Sequence, residues 1–162
     1  MKTLLIAVTI AASIAGINFA ALPEQAPAEE PEIVQIDTAE AELIAKCVWG
    51  EARGCSTTEQ AAVMWCILNR VDAGYGTVTE VITAPYQFTG YRSSNPIDEG
   101  IYNLAVDVLT RWEREKAGQT DVGRVLPSDY RWFNGSGGHN WFRNSYKGGT
   151  YWDWSLDSPY ED

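Results

Sequence analysis

Between Leu43 and Arg53 apolar side chains recur at helical spacing, and the run stops at a glycine. Leu43, Cys47 and Glu51 stand at i, i+4 and i+8, with Ile44 and Val48 beside them and Gly54 just past the end. An α-helix puts these positions on one face, and a glycine past its end supplies the C-terminal stop. The pattern restarts at Ser56-Thr57-Thr58-Glu59, an N-terminal capping signature, and continues through Ala62, Val63, Cys66, Ile67 and Arg70 to about Gly74. Two such helices joined by a short loop make a helical hairpin. Glu51 extends the core-facing stripe of the first one and lies beside the second. A carboxyl pressed against apolar groups resists ionisation, so its pKa rises. A carboxyl still protonated near neutral pH is a candidate general acid. The plain alternative is a glutamate that only ends a helix.

The same logic extends along the chain. Asp37 and Glu40 have capping-box spacing with Asp37 as N-cap, and the first helix is predicted to run from there to about Arg53. Thr77-Val78-Thr79-Glu80 opens a short helix closed by Pro85. A polar loop, Tyr86 to Asn95, follows. Asn95-Pro96 is predicted to cap a longer helix with Ile97, Ile101, Leu104, Ala105, Val108 and Trp112 on its apolar face. After Lys116 the periodicity ends. Glycines crowd Gly135 to Gly149 among Trp132, Phe133, Trp141, Phe142, Tyr146, Tyr151, Trp152 and Trp154, which predicts short strands or loops forming an aromatic flap. The fold class is mainly α, a small helical domain with an irregular C-terminal flap.

Ahead of this domain, residues 1–21 have a basic start and a long apolar run from Leu4 to Ala21, the pattern of a secretory signal peptide or an N-terminal anchor. Residues 22–35 alternate Pro23, Pro27 and Pro31 with Glu24, Glu29, Glu30 and Glu32, an acidic spacer. Residues 36–162 are the globular part. Export permits disulfides. With three cysteines one internal bridge can form, and Cys47 to Cys66 is the expected pair because both lie on consecutive helices, although Cys55 competes. One histidine and no Cys-x-x-Cys argue against a zinc site.

The formal charge is −10, and from Leu43 onward there are 15 acidic and 11 basic residues, which argues against a nucleic-acid-binding face. Seven tryptophans and eight tyrosines suit sugar rings, because indole and phenol present flat apolar faces with a polar edge; packing will take some of them. Two segments could complete a cleft around Glu51: Pro85-Tyr86-Gln87-Phe88-Thr89 and the flap from Trp132 to Tyr146.

Gly50-Glu51-Ala52-Arg53-Gly54, Gln60-Ala61-Ala62-Val63 and Leu68-Asn69-Arg70-Val71 resemble the catalytic domain of the SleB-type cell wall hydrolases, the spore-cortex-lytic enzymes and their relatives. Pro85-x-x-Phe88-Thr89 is similar to a later segment of that family, and His139 with Phe142 to its terminal motif at one residue longer spacing. The resemblance spans about Ile36 to Tyr146. It implies a lysozyme-like fold and cleavage of peptidoglycan glycan strands between N-acetylmuramic acid and N-acetylglucosamine, with the single catalytic glutamate falling on Glu51. The chain departs from the family at Cys55, Ser56, Glu59, Trp65 and Cys66, all on the hairpin.

Around Glu51, the expected substrate contacts are Gln87, Thr89, Tyr91, Trp132 and His139. Arg70 is expected to be structural and Phe88 to join the core. Glu59 and Asp72 read as helix-end residues, so no second carboxylate has a site context. A glycosidase that works through two carboxylates is therefore disfavoured against a lytic transglycosylase, which uses one group as acid and then base; muramidase hydrolysis is the neighbouring alternative. Neither cofactor nor metal is expected, and the chain is expected to act as an exported monomer. A cysteine amidase using His139 and a non-catalytic glycan-binding module are the readings from other classes.

Overall fold

The computed structural model describes residues 34–160; the leader at 1–21 and nearly all of the acidic spacer lie outside the described residues. Four helices are followed by one β-hairpin: α1 Thr38–Ala52, α2 Thr57–Asp72, α3 Val78–Thr83, α4 Glu99–Lys116, β1 Trp132–Ser136 and β2 His139–Arg143. Among the described residues no helix is long and apolar enough to cross a membrane.

The helix starts follow the caps. Asp37 accepts from the Ala39 amide at 2.8 Å and opens α1. Ser56 accepts from the Glu59 amide at 3.3 Å and opens α2. Thr77 and Glu80 form the full reciprocal box on α3. The other two boxes stay half-made. Asp37 takes the second amide of its helix and not that of Glu40. The Glu59 carboxylate is drawn away to Asn140 on the hairpin.

Residues 61–70 of α2 are buried without a break, which makes it the central helix. α1 and α4 both pack on it and on each other, and α3 closes one side. The turn between α1 and α2 is held by Gln60, whose amide donates to the carbonyls of Ala52 and Cys55 at 3.2 and 3.3 Å. Those carbonyls lack helical donors at the end of α1. Asn69, buried at the far end of α2, donates to Pro127 O and Tyr130 O, both at 2.8 Å, and so fixes the chain that leads into the hairpin.

The predicted start of the long helix is corrected. α4 begins at Glu99, with Asp98 as N-cap accepting from the Ile101 amide at 3.0 Å. Ile97 lies before the helix and is exposed. Asp98 competes successfully because its carboxylate reaches that amide, whereas the Asn95 amide is used as a donor to Lys46 O and Gly90 O, both at 3.0 Å. Ile101, Leu104, Ala105, Val108 and Trp112 do form the buried face, with Leu109.

The expected Cys47–Cys66 bridge is also corrected: all three cysteines are free thiols. Cys47 and Cys66 are fully buried in the interior of the helical layer, where they serve as small apolar groups. The Cys66 sulfur is further engaged by the Arg70 guanidinium.

The aromatic flap resolves into a two-stranded antiparallel sheet with Phe133 opposite Phe142 and Gly135 opposite Asn140. Its two-residue turn is Gly137-Gly138, with φ of 64° and 83°. Both turn residues need positive φ, which glycine adopts without steric cost. Phe133 stacks against Phe88 and Phe142 at 5.9 and 5.4 Å between centroids, and Phe142 is buried. Phe88 is thus core, as expected. Trp152 donates to Val125 O at 3.1 Å and packs on Tyr130. A good part of the aromatic excess is therefore packing.

Candidate functional site

Glu51 lies in the last turn of α1, half-buried, and the hairpin tip comes over it. Together they bound a cleft of about 440 Å³ lined by residues 50–55 and 135–140. The element that fixes the carboxylate is the loop after α3. The Gly90 amide donates to Glu51 Oε1 at 2.5 Å. This requires the loop backbone to lie directly on α1, and two glycines permit it: a Cβ on Gly50 would collide with the Gly90 carbonyl, and a Cβ on Gly90 would collide with the Gly50 carbonyl. Asn95 holds the loop in place by bonding both to Gly90 O and to Lys46 O on α1.

The pKa of Glu51 is raised above the usual carboxylate value. Burial is the largest cause, and it outweighs the Gly90 N–H and the more distant Arg92, both of which favour the anion. The site therefore has two opposed features. Desolvation keeps the proton on at higher pH, and one preorganised N–H stands ready to stabilise the carboxylate when the proton leaves.

Under the hairpin lies a second carboxylate that helix-end spacing did not reveal as a site feature. Glu59 is buried. Its Oε1 accepts from the Asn140 backbone N–H at 2.6 Å and from Asn140 Nδ2 at 3.0 Å, and Oε2 sits 3.3 Å from His139 Nδ1. The signal in the sequence was weak: a glutamate in the first turn of α2 has an ordinary capping role, and only the tertiary fold brings β2 within reach. Asp72 is structural, accepting from Trp112 Nε1 at 3.0 and 3.1 Å.

The predicted substrate contacts divide between places. His139 lines the Glu51 cleft. Gln87 and Trp132 line a separate pocket with Arg70, Tyr75, Val81, Ala84 and Tyr146. Thr89 is exposed on the loop next to Gly90. Tyr91 is half-buried and packs against the core, so it forms no wall of either cavity.

Cys55 and His139 share the Glu51 cleft, a proximity not evident in the sequence. They do not form a nucleophile pair. His139 Nδ1 is on Glu59, and the Cys55 sulfur contacts Gly138 O at 3.6 Å and Asn140 Nδ2 at 3.7 Å. Burial and the Glu59 carboxylate push the Cys55 thiol up to about 12. A catalytic thiol needs the opposite shift. Among the described residues no cluster of three or more His, Cys, Asp or Glu side chains could hold a metal ion.

Protein-family models, curated proteins and solved structures were compared with the chain, and none matches significantly.

Proposed function

We propose that this domain is a lysozyme-like peptidoglycan-cleaving enzyme, working outside the cytoplasm as a lytic transglycosylase with Glu51 as its acid and base. The observation that carries the reading is that Glu51 is the sole carboxylate among the residues lining its cleft. Glu59 lies near, but both its oxygens are engaged by Asn140 and His139. The motifs from Gly50 to Val71 and the leader pattern at residues 1–21 agree with it.

The chemistry follows from the two oxygens. Gly90 occupies Oε1, leaving Oε2 to carry the proton. That proton passes to the glycosidic oxygen as the bond from muramic acid C1 to this oxygen breaks, and the bonding electrons leave with the N-acetylglucosamine oxygen. The carboxylate so formed is stabilised by the Gly90 N–H; a hydrogen bond to a charged group contributes about 1.5–3 kcal/mol. The muramic acid 6-hydroxyl then closes on C1 and gives its proton to Oε2. Glu51 returns to its starting state, no water is consumed, and the product ends in 1,6-anhydromuramic acid. The hairpin tip is the cover that keeps water from C1 meanwhile.

Mass spectrometry of products from purified glycan strands tests this. Anhydro ends, lighter than reducing ends by one water, are expected. Reducing ends carrying oxygen from labelled water would assign muramidase hydrolysis. Binding to cell walls with no clearing of a wall suspension would assign a non-catalytic module.

A further inference from the structure

Arg70 presents an electrostatic imbalance that the Glu51 cleft does not explain. It is 5% exposed, and none of the ion pairs among the described residues includes it. Its Nε donates to Arg131 O at 2.6 Å and its Nη1 to Gln87 Oε1 at 3.0 Å. Both oxygen acceptors are neutral, and the buried Cys66 thiol that the guanidinium also engages carries no charge to offset it. The guanidinium carbon lies over the rings of Phe88 and Trp132, 4.9 and 4.8 Å from their centroids. The comparable Arg124 is held by a bidentate bond to Glu115 at 2.6–2.9 Å. A buried cation without a counter-charge is costly, and stacking on aromatic faces offsets only part of that cost.

The guanidinium borders the second pocket, a space of about 340 Å³ whose other walls are chiefly Trp132, Tyr75, Tyr146 and the Gln87 side chain. Tyr75 and Tyr146 are half or more exposed, and both meet Trp132 edge-on at 5.8 and 5.2 Å. Aromatic walls with a single cation among the lining residues fit an apolar ring or chain that ends in a carboxylate. Oxygens of that group would complete the donors of the guanidinium fork that protein oxygens leave unused.

We propose that this pocket is a carboxylate-binding subsite, with Arg70 as the charge partner and Trp132, Tyr75 and Tyr146 as the packing surface. Resting on the peptidoglycan reading above, the carboxylate is the lactyl group of a muramyl residue or a carboxylate of its stem peptide. β1 connects the two places: Trp132 lines this pocket and Gly135 lines the Glu51 cleft. Three residues of strand span about 10 Å, within the reach of a short oligosaccharide. Gln87 then has a defined part, holding the guanidinium in place with a neutral oxygen.

The test uses the Glu51→Gln protein, so that binding is read without turnover. The Arg70 Nε–H and Trp132 indole N–H resonances are followed during titration with N-acetylmuramic acid, which has a free lactyl carboxylate, and with N-acetylglucosamine, which lacks the lactyl group. Saturable shifts with the first and none with the second are expected. Muramyl dipeptide, with its lactyl carboxyl amidated, separates the sources: binding by it places a stem-peptide carboxylate in the pocket, and binding by the monosaccharide alone places the lactyl group there. Equal response to both monosaccharides, or no response to any of the three, overturns the proposal. Gln87→Glu puts a carboxylate on Arg70 within the protein and should weaken binding of the acidic ligand about tenfold or more; unchanged affinity would also overturn it. Cleavage of glycan by the wild-type protein without these shifts would sink the subsite and leave the Glu51 reading standing, and shifts without cleavage would do the reverse.

Discussion

Gly50 and Gly90 touch backbone to backbone, and this contact sets the distance at which the Gly90 N–H meets the Glu51 carboxylate. The residue that positions the candidate acid is therefore not a side chain. It is a main-chain amide from a loop 39 residues along the chain, admitted because neither partner has a Cβ.

Gly50→Ala and Gly90→Ala should each separate loop and helix. Forcing a methyl into a packed contact costs about 1–3 kcal/mol, so thermal unfolding should show a loss of that order. Wall-clearing activity should fall further than the unfolded fraction explains, because the N–H to Glu51 is lost with the contact. Wild-type activity in a stably folded Gly90→Ala protein would contradict this positioning.

Glu51→Gln should fold normally by circular dichroism and lose glycan cleavage by about 10²–10⁴-fold or more, the usual effect of removing a general acid. Its stability carries a second signature. Burial raises the Glu51 pKa in the folded state, so the folded protein holds this proton to higher pH than the unfolded chain does. The ionised group therefore costs stability above the unfolded carboxyl pKa, and the cost grows until pH passes the raised folded value. Gln has no such cost. Denaturant titrations should show the variant gaining on wild type as pH rises through the carboxyl range, with the pH-dependent part of the difference vanishing under more acid conditions. A gain that runs the other way would mean the folded-state pKa is lowered.

The hairpin should depend on Glu59. Glu59→Ala leaves the Asn140 N–H and side-chain amide without the acceptor they share. An unsatisfied buried donor costs about 1–3 kcal/mol. Hydrogen exchange at Asn140 should accelerate well beyond exchange in the centre of α2. Unchanged protection of Asn140 would show that the hairpin is held by the Phe133–Phe142 packing alone.

Thiol titration should find three free cysteines in denaturant and slow reaction in the native protein. Cys47 and Cys66 are fully buried, and the Cys55 thiol is pushed up to about 12. Alkylation of Cys55 by a small reagent should leave Glu51 chemistry in place, although its place in the cleft permits a modest loss to bulk. Mass mapping that found a Cys47–Cys66 bridge would reverse this correction.

Much of the helical layer was legible because local rules and tertiary packing agree there. The caps at Asp37, Ser56 and Thr77, the stop after Ala52 and the apolar face of α4 each follow from spacing within one turn of helix. Where two local signals competed, sequence alone chose badly. Asn95-Pro96 and Asp98 are both credible caps, and what decided between them was a tertiary demand for the Asn95 amide at Lys46 O and Gly90 O.

By itself, then, the sequence determined four helices, the half-buried position of Glu51 at the end of an apolar stripe, and a glycine-rich aromatic segment after them. Periodicity and capping act over a few residues, so a linear reading can find them. Only the tertiary structure decided that Gly90 would hold Glu51, that Glu59 would leave its helix cap for Asn140, and that Trp132 and Gln87 would gather around Arg70 instead of Glu51. Those relations join residues 17 to 81 positions apart. Their partners are set by how the hairpin and loop close on the helical layer, and no spacing within either segment encodes that closure.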